Sequence, residues 1–424
     1  MARVLISGIG TGQLNGQDDY GLEHRRKYRT ATYLIDQKKY ETEFIASALI
    51  EHYQIEKVFL VGTVKSMWEN VYEYFAGANL DEEYYFHLVE AIEKSNYLDQ
   101  CFDMDYLGNV NEAMNCFLKS SDSRCFLIKY GLNEEEIIYN FGIFQDIAEL
   151  LESGDEVFLD ITHSFRSLAL FQYTMVNYID NLSHKNIEVK GVFYGMLETA
   201  REMQGITPVV NLKTVYELSN WVKAIHELKS YGNGYIVSDL LRDYDKRLAN
   251  KIKMFSDLVN LNYLAGVKNQ VDNLSRLNFE HINGPGSMVA EYLNRYVNRF
   301  ASIRNEWEFQ FEMAKWYFEN KRYATGYIAL IESILTRICE LLALDPKIKN
   351  NRDEAKNILY NNRSGANLRE VRYKFDAINR IRKNVAHVLD DRDERNYLTD
   401  VRQSAYYIRS LEGLLKRLSA DDLR

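Results

Sequence analysis

Two hydrophobic periods divide the chain. Over the first part, short apolar runs of strand length alternate with stretches in which apolar residues recur every three or four positions; from Leu218 onward only the helical period persists. The strand-like runs are Val4-Leu5-Ile6-Ser7, residues 30–35, Lys57-Val58-Phe59-Leu60-Val61, Cys125-Phe126-Leu127-Ile128, Val157-Phe158-Leu159 and residues 189–195, with Thr207-Pro208-Val209-Val210 following. Helical spacing covers residues 43–53, a segment opening at Ser66-Met67-Trp68, an acidic stretch 81–95, residues 134–151, and the run marked by Phe165, Leu168, Phe171, Val176 and Ile179. The tyrosine-bearing segment up to Ser121 reads as irregular. Such alternation over about 210 residues predicts an α/β domain with a mostly parallel sheet and helices on both faces. The remainder predicts an all-α domain, with helices over 218–229, 237–271, 288–320, 323–344, 353–360, 368–389 and 394–418, broken at Asn283-Gly284-Pro285-Gly286 and Asp345-Pro346. The domain boundary falls between 217 and 218, leaving domains of 1–217 and 218–424.

Composition narrows this picture without changing it. The chain is 46% apolar and 27% charged, as globular proteins are, and its three prolines leave long helices permitted. Cys101, Cys116, Cys125 and Cys339 form no CxxC pair or His-rich spacing, which suits buried thiols in a reducing cytoplasm and predicts no metal site. The N-terminus turns glycine-rich before an export signal can form, and no apolar run approaches a membrane span, so no membrane association is expected. A net charge of −9 argues against a protein that coats nucleic acid non-specifically. One local exception exists: between Arg363 and Lys383 seven basic residues stand against Glu370 and Asp376, either a polyanion-facing patch or a solvated face.

Candidate chemistry in the first half lies where strands end. Gly8-Ile9-Gly10-Thr11-Gly12 follows the first strand, Gly62-Thr63-Val64-Lys65-Ser66-Met67-Trp68 the third, and Asp160-Ile161-Thr162-His163-Ser164-Phe165-Arg166-Ser167 runs from strand through turn into helix. In a parallel sheet these ends converge on one edge, where ligands bind. Their small residues, N–H groups and the helix start behind Arg166 suit a phosphate. The alternative is that Thr162 or Ser164 merely caps the helix and His163 packs at the surface. A dinucleotide fingerprint is disfavoured, because the glycines of the first loop run on through Gln13-Leu14-Asn15-Gly16 rather than into a helix.

In the helical half, Phe375, Ile378, Ile381 and Val385 form an apolar stripe on a segment whose polar side is expected to carry Arg382, Asn384 and His387. Arg382 and His387 stand about 140° apart on an ideal helix, yet both can reach one phosphate. Metal-free RNA cleavage needs that pair: an imidazole to move a proton and a guanidinium to stabilise charge on phosphorus. The spacing alone is weak, since Arg276 and His281 repeat it beside a chain break, and a capped or core-edge histidine accounts for His387 equally well.

Taken together, the halves resemble the CARF–HEPN ribonucleases associated with type III CRISPR systems, over essentially the full length. The resemblance rests on the three loops above and on Arg382-x4-His387, in that order. It implies a Rossmann-like CARF domain followed by a helical linker and a HEPN domain. It further implies a homodimer, or a higher oligomer, that binds one cyclic oligoadenylate across its two-fold axis, cyclic tetra-adenylate being the first expectation, and cuts single-stranded RNA without a metal in antiviral defence. Gly10, Thr11, Gly62, Thr63, Ser66, Thr162, His163, Ser164 and Arg166 would contact the activator. Arg382 and His387 would act on RNA, assisted by Lys383 or Asn384. Other readings are a non-catalytic sensor, a ring nuclease that degrades the activator, and a transcription regulator, for which no basic recognition helix is found.

Overall fold

The computed structural model describes residues 1–11, 30–96, 103–163, 166–182, 185–277, 279, 282, 284–361, 365–386 and 395–423. It forms two compact units, Met1–Glu217 and Leu218–Arg424.

The first unit is built on an eight-stranded sheet. In chain order its elements are β1 (Arg3–Ile9), β2 (Ala31–Ile35), β3 (Lys38–Thr42), α1 (Ile45–Tyr53), β4 (Lys57–Gly62), α2 (Trp68–Ala76), α3 (Glu82–Lys94), α4 (Gly108–Leu118), β5 (Arg124–Leu127), α5 (Glu134–Leu150), β6 (Glu156–Asp160), α6 (Arg166–Leu182), β7 (Glu188–Gly195) and β8 (Ile206–Asn211). The strand order is β3-β2-β8-β7-β6-β1-β4-β5. From β7 through β5 every pairing is parallel, while β7–β8 and β2–β3 are antiparallel.

Alternation along β1 explains the continuous apolar run. Leu5 and Ile9 pack into a core with residues of α1 to α4, whereas Val4 and Ile6 pack into a second core with residues of α5 and α6. A strand buried on both faces needs apolar side chains at odd and even positions alike. Two elements were not legible in the sequence. β3 enters through the two-residue turn Asp36-Gln37, with φ of +43° and +72°, a primed turn without the usual glycine. Helix α4 is masked by its asparagines, which are weak helix formers. Here they serve the sheet: Asn111 Oδ1 accepts from the Cys125 amide at 2.7 Å and Asn115 Oδ1 from the Ser123 amide at 2.8 Å.

The second unit is helical: α7 (Lys213–Tyr231), which begins in the first unit, α8 (Tyr235–Leu241), α9 (Lys246–Asn260), α10 (Leu264–Ser275), α11 (Ser287–Ala301), α12 (Glu306–Glu319), α13 (Tyr323–Leu341), α14 (Lys349–Leu359), α15 (Ala366–Ala386) and α16 (Arg395–Arg417). The apolar period over 237–271 predicts one helix, and three elements occupy that range. Asp245 caps α9 by accepting from the Leu248 amide at 2.9 Å, and Asn262 turns the chain with φ of +54°. Neither break contains glycine or proline. Likewise 288–320 divides into α11 and α12. Trp307, Phe309, Phe311, Met313, Trp316 and Tyr317 of α12 are all buried, and α13 returns against them through a tight turn at Lys321 (φ +59°). Arg337 ties α13 to the end of α16, its Nε and Nη2 donating to the carbonyls of Leu415 and Leu418 at 3.1 and 3.0 Å. Among the described residues no helix is long and apolar enough to cross a membrane.

Candidate functional site

In the first unit β4 and β6 flank β1, so their carboxyl ends are neighbours by register, with Ile9 opposite Gly62 and Ser7 opposite Asp160. The loops that follow interlock. Ser66 Oγ donates to the Ile9 carbonyl at 2.7 Å and accepts from the Thr63 amide at 2.9 Å. The Met67 amide donates to the Gly10 carbonyl at 3.0 Å, and Trp68 Nε1 to the Thr63 carbonyl at 2.8 Å. A Cβ on Gly10 would stand 3.0 Å from the His163 carbonyl oxygen, so the loops after β1 and β6 touch backbone to backbone.

Thr63 and Ser66 are fully buried, which turns their side chains inward to shape the loop. At Gly62 a Cβ would meet Ser66 Oγ and Trp68 Cζ2, each at 2.7 Å. Gly62→Ala is therefore expected to destabilise the chain by about 1–3 kcal/mol, measured by urea unfolding, because Trp68 cannot move without opening the core beneath it.

The loop after β6 hangs on a buried carboxylate. Asp160 is fully buried. It accepts from Ser7 Oγ at 2.6 Å, from Thr162 Oγ1 at 2.6 Å and from the Thr162 amide at 3.0 Å. Thr162 Oγ1 in turn accepts from the Gly195 amide at 2.8 Å. One hydroxyl thus joins the ends of β6 and β7 while the carboxylate joins β6 to β1. Gly195 admits this only because it has no side chain: a Cβ there would lie 2.8 Å from Ile45 Cδ1 and 3.1 Å from both Thr162 Cγ2 and Tyr33 Cε1. Burial, with the Asp160 carboxylate adding to it, raises the Tyr33 phenol far above its ordinary range. His163 is pushed below the ordinary imidazole range by burial, against a weaker upward pull from Asp160, so it is neutral at pH 7. Ser7, Asp160, Gly195 and Tyr33 were not singled out as site residues in the sequence. The available signal was a serine and an aspartate inside otherwise apolar strands.

Arg166 is the first residue of α6, so its backbone stands at a helix N-terminus. Ser164 and His387 lie outside the described residues. The structure therefore brings together Gly10, Gly62, Thr63, Ser66, Thr162 and His163 at one sheet edge.

On α15, Phe375, Ile378 and Ile381 are buried as the periodicity predicts, Leu368 and Val371 extend the stripe toward the N-terminus, and the side chain of Val385 lies outside the described residues. Arg382 differs from expectation. It flanks the apolar stripe, half-buried, and its guanidinium folds back onto its own helix, with Nε and Nη2 donating to Asn379 Oδ1 at 3.1 and 2.8 Å. Three residues of separation place Asn379 directly beneath it. Lys383 is exposed and Asn384 half-buried.

Small polar loops interlocked at the carboxyl edge of a parallel sheet give the first unit an open α/β architecture, a class in which ligands bind at that edge. Residues 4–198 match the family model of the CARF domain of the CRISPR system endoribonuclease Csx1, and residues 217–305 that of the second domain of CRISPR-associated protein MJ1674. The first unit thus resembles a CARF domain over nearly its whole length, and the chain is similar to CRISPR-associated proteins. It is 36% identical over 425 residues to the CRISPR-associated protein MJ1674 of Methanocaldococcus jannaschii, an alignment covering 95% of this chain and 65% of that protein. The chain thus spans about two thirds of that relative's length. Enterococcus italicus Csm6 bound to cyclic hexa-2'-fluoro-hexa-dAMP aligns with all of this chain and 96% of its own at 12% identity and a TM-score of 0.39, a likeness too remote to bear on function.

Proposed function

We propose that this protein is a cyclic-oligoadenylate-activated, metal-independent endoribonuclease of a type III CRISPR antiviral system, acting in the cytoplasm as a homodimer on single-stranded RNA. The observation that carries this reading is the interlocked edge of β1, β4 and β6 inside a Csx1-type CARF domain. A ring of phosphates suits that edge. The loops after β1, β4 and β6 bring main-chain polar groups to one edge, and the N-terminus of α6 adds N–H donors and a favourable dipole. Gly10 lets the ligand approach the backbone closely, and Thr11, Thr162, His163, Ser164 and Arg166 supply side-chain contacts. Thr63 and Ser66 hold the shape of the loop after β4 against β1.

RNA cleavage falls to α15. Arg382 would stabilise charge on the scissile phosphate, and His387 would move the proton of the attacking 2′-hydroxyl or of the leaving oxygen. Because Asn379 occupies the Nε–Nη2 edge of Arg382, the phosphate would meet the Nη1 side. Lys383 or Asn384 assists by contacting the neighbouring phosphate. Two copies of the chain would supply two such helices to one composite site. Binding of the activator must then favour one arrangement of those helices over another, since only differential affinity shifts an equilibrium.

The test is cleavage of a fluorescent single-stranded RNA by the purified chain in EDTA, with and without cyclic tetra-adenylate. Cleavage that requires the activator and survives EDTA is the expected result. Absence of cleavage with both four- and six-membered rings would refute the ribonuclease reading and leave a sensor or an enzyme that degrades the activator.

A further inference from the structure

Along α15 the exposed residues Arg369, Tyr373, Asp376, Arg380 and Lys383 recur every three or four positions, so they line one helix face. Tyr373 is 74% exposed. Beside this face, Tyr406 of α16 is 52% exposed although it is held on two sides. Lys374, buried to 5%, donates to Tyr406 Oη at 3.3 Å and lies 5.0 Å from the centre of its ring. The Tyr407 ring packs edge-on at 5.5 Å. The Tyr407 phenol, raised by burial, is pulled back by Arg380 and raised further by Asp400, Tyr406 and Tyr373. The Lys374 contact places Tyr406 of α16 beside the part of α15 that carries Tyr373 and Arg380.

The charge of the patch is positive. Glu370 pairs with Lys374 at 3.5 Å, and the negative charges of Asp376, bonded by the Tyr360 hydroxyl, and of Asp400 beside Tyr407 are outnumbered by three cations. Arg369, Arg380 and Lys383 set the sign of the field above it. Cations interleaved with tyrosines fit a chain that alternates phosphates with bases, because every base has a face on which to stack.

We infer that the α15 face Arg369–Tyr373–Arg380–Lys383, with Tyr406 of α16, is a track for single-stranded RNA, on which Tyr373 and Tyr406 stack bases and the three cations hold phosphates. It rests on the ribonuclease reading in that the track leads along α15 toward Arg382. From Tyr373 to Lys383 the helix rises about 15 Å, room for a few nucleotides of extended strand. Lys374 is a positioning residue, orienting the Tyr406 ring before RNA arrives.

The experiment is fluorescence anisotropy of a labelled 2′-O-methyl single-stranded RNA, which lacks the attacking hydroxyl, with the intact chain and cyclic tetra-adenylate. Tyr373→Ala is expected to weaken binding by about 5- to 100-fold, and Tyr373→Trp to restore it. Arg380→Ala should weaken all base sequences alike and lower the slope of log affinity against log salt by about one. Binding within twofold of the native chain for both Tyr373→Ala and Arg380→Ala would overturn the track. So would a change in sedimentation of either variant, which would make the face a subunit contact. The two readings fail separately. A native chain that cuts no RNA but loses RNA binding on Tyr373→Ala keeps the track and loses the nuclease; cleavage lost only on Arg382→Ala keeps the nuclease and loses the track.

Discussion

Arg382→Ala is expected to lower activator-dependent RNA cleavage by about 10²- to 10³-fold, and His387→Ala by about 10²- to 10⁴-fold. Affinity for cyclic tetra-adenylate should stay within about twofold in both, because neither side chain belongs to the domain that carries the loops proposed to bind it. The geometry at Arg382 sharpens the test. Its guanidinium is held by two bonds to Asn379 Oδ1, an arrangement that a planar fork can make and an ammonium cannot. Arg382→Lys should therefore recover only a small part of the lost rate despite keeping the charge. Asn379→Ala should cost less than Arg382→Ala, since it frees the fork without removing it. Single-turnover cleavage in EDTA reads the rate, and calorimetric titration with the ring reads the affinity. Cleavage that persists in Arg382→Ala and His387→Ala would remove the catalytic assignment from α15.

Asp160→Ala should carry the largest cost in stability, roughly 3–5 kcal/mol, because it strips the acceptor from three donors at once. Ser7 Oγ, Thr162 Oγ1 and the Thr162 amide are all bonded to a carboxylate that is fully buried. Each buried donor left without a partner costs about 1–3 kcal/mol. Asp160→Asn keeps one oxygen and the volume, and Ser7 can rotate to accept from the new amide, so it should cost about half as much. Amide hydrogen exchange at Thr162 and Gly195 should quicken in both variants, since the Gly195 amide reaches the network through Thr162 Oγ1. Activator affinity should fall at least about tenfold in Asp160→Ala, as the loop between β6 and α6 loses its anchor to β1. Unchanged urea unfolding together with unchanged affinity would show that the carboxylate is dispensable.

Both predictions turn on contacts of a kind that periodicity does not encode. The strands Val4-Leu5-Ile6 and Val58-Phe59-Leu60-Val61 were legible because burial on two faces demands unbroken apolar character. The stripe of α15 was legible because one buried helix face repeats at a fixed interval. β3 was not, since Asp36-Gln37 makes its turn without glycine. The divisions within 237–271 were not, since an aspartate cap and one left-handed asparagine interrupt the helix while the apolar period continues across them.

At the candidate site the same division holds. Small residues after buried strands and a strand–turn–helix segment at 160–166 identify the edge, because those properties belong to consecutive residues. That Ser66 faces inward to the Ile9 carbonyl depends on β4 lying beside β1. That Asp160 meets Ser7 depends on pairing strands 153 residues apart. That Arg382 folds onto Asn379 depends on which side of α15 the helical core covers. The sequence by itself determined the two architectures, the strands and helices of strong period, and the chemical character of the loops, since all of these follow from local spacing. The strand order and the partners of Asp160 came from packing alone, because hydrogen bonds and burial between distant segments exist only once the chain has folded.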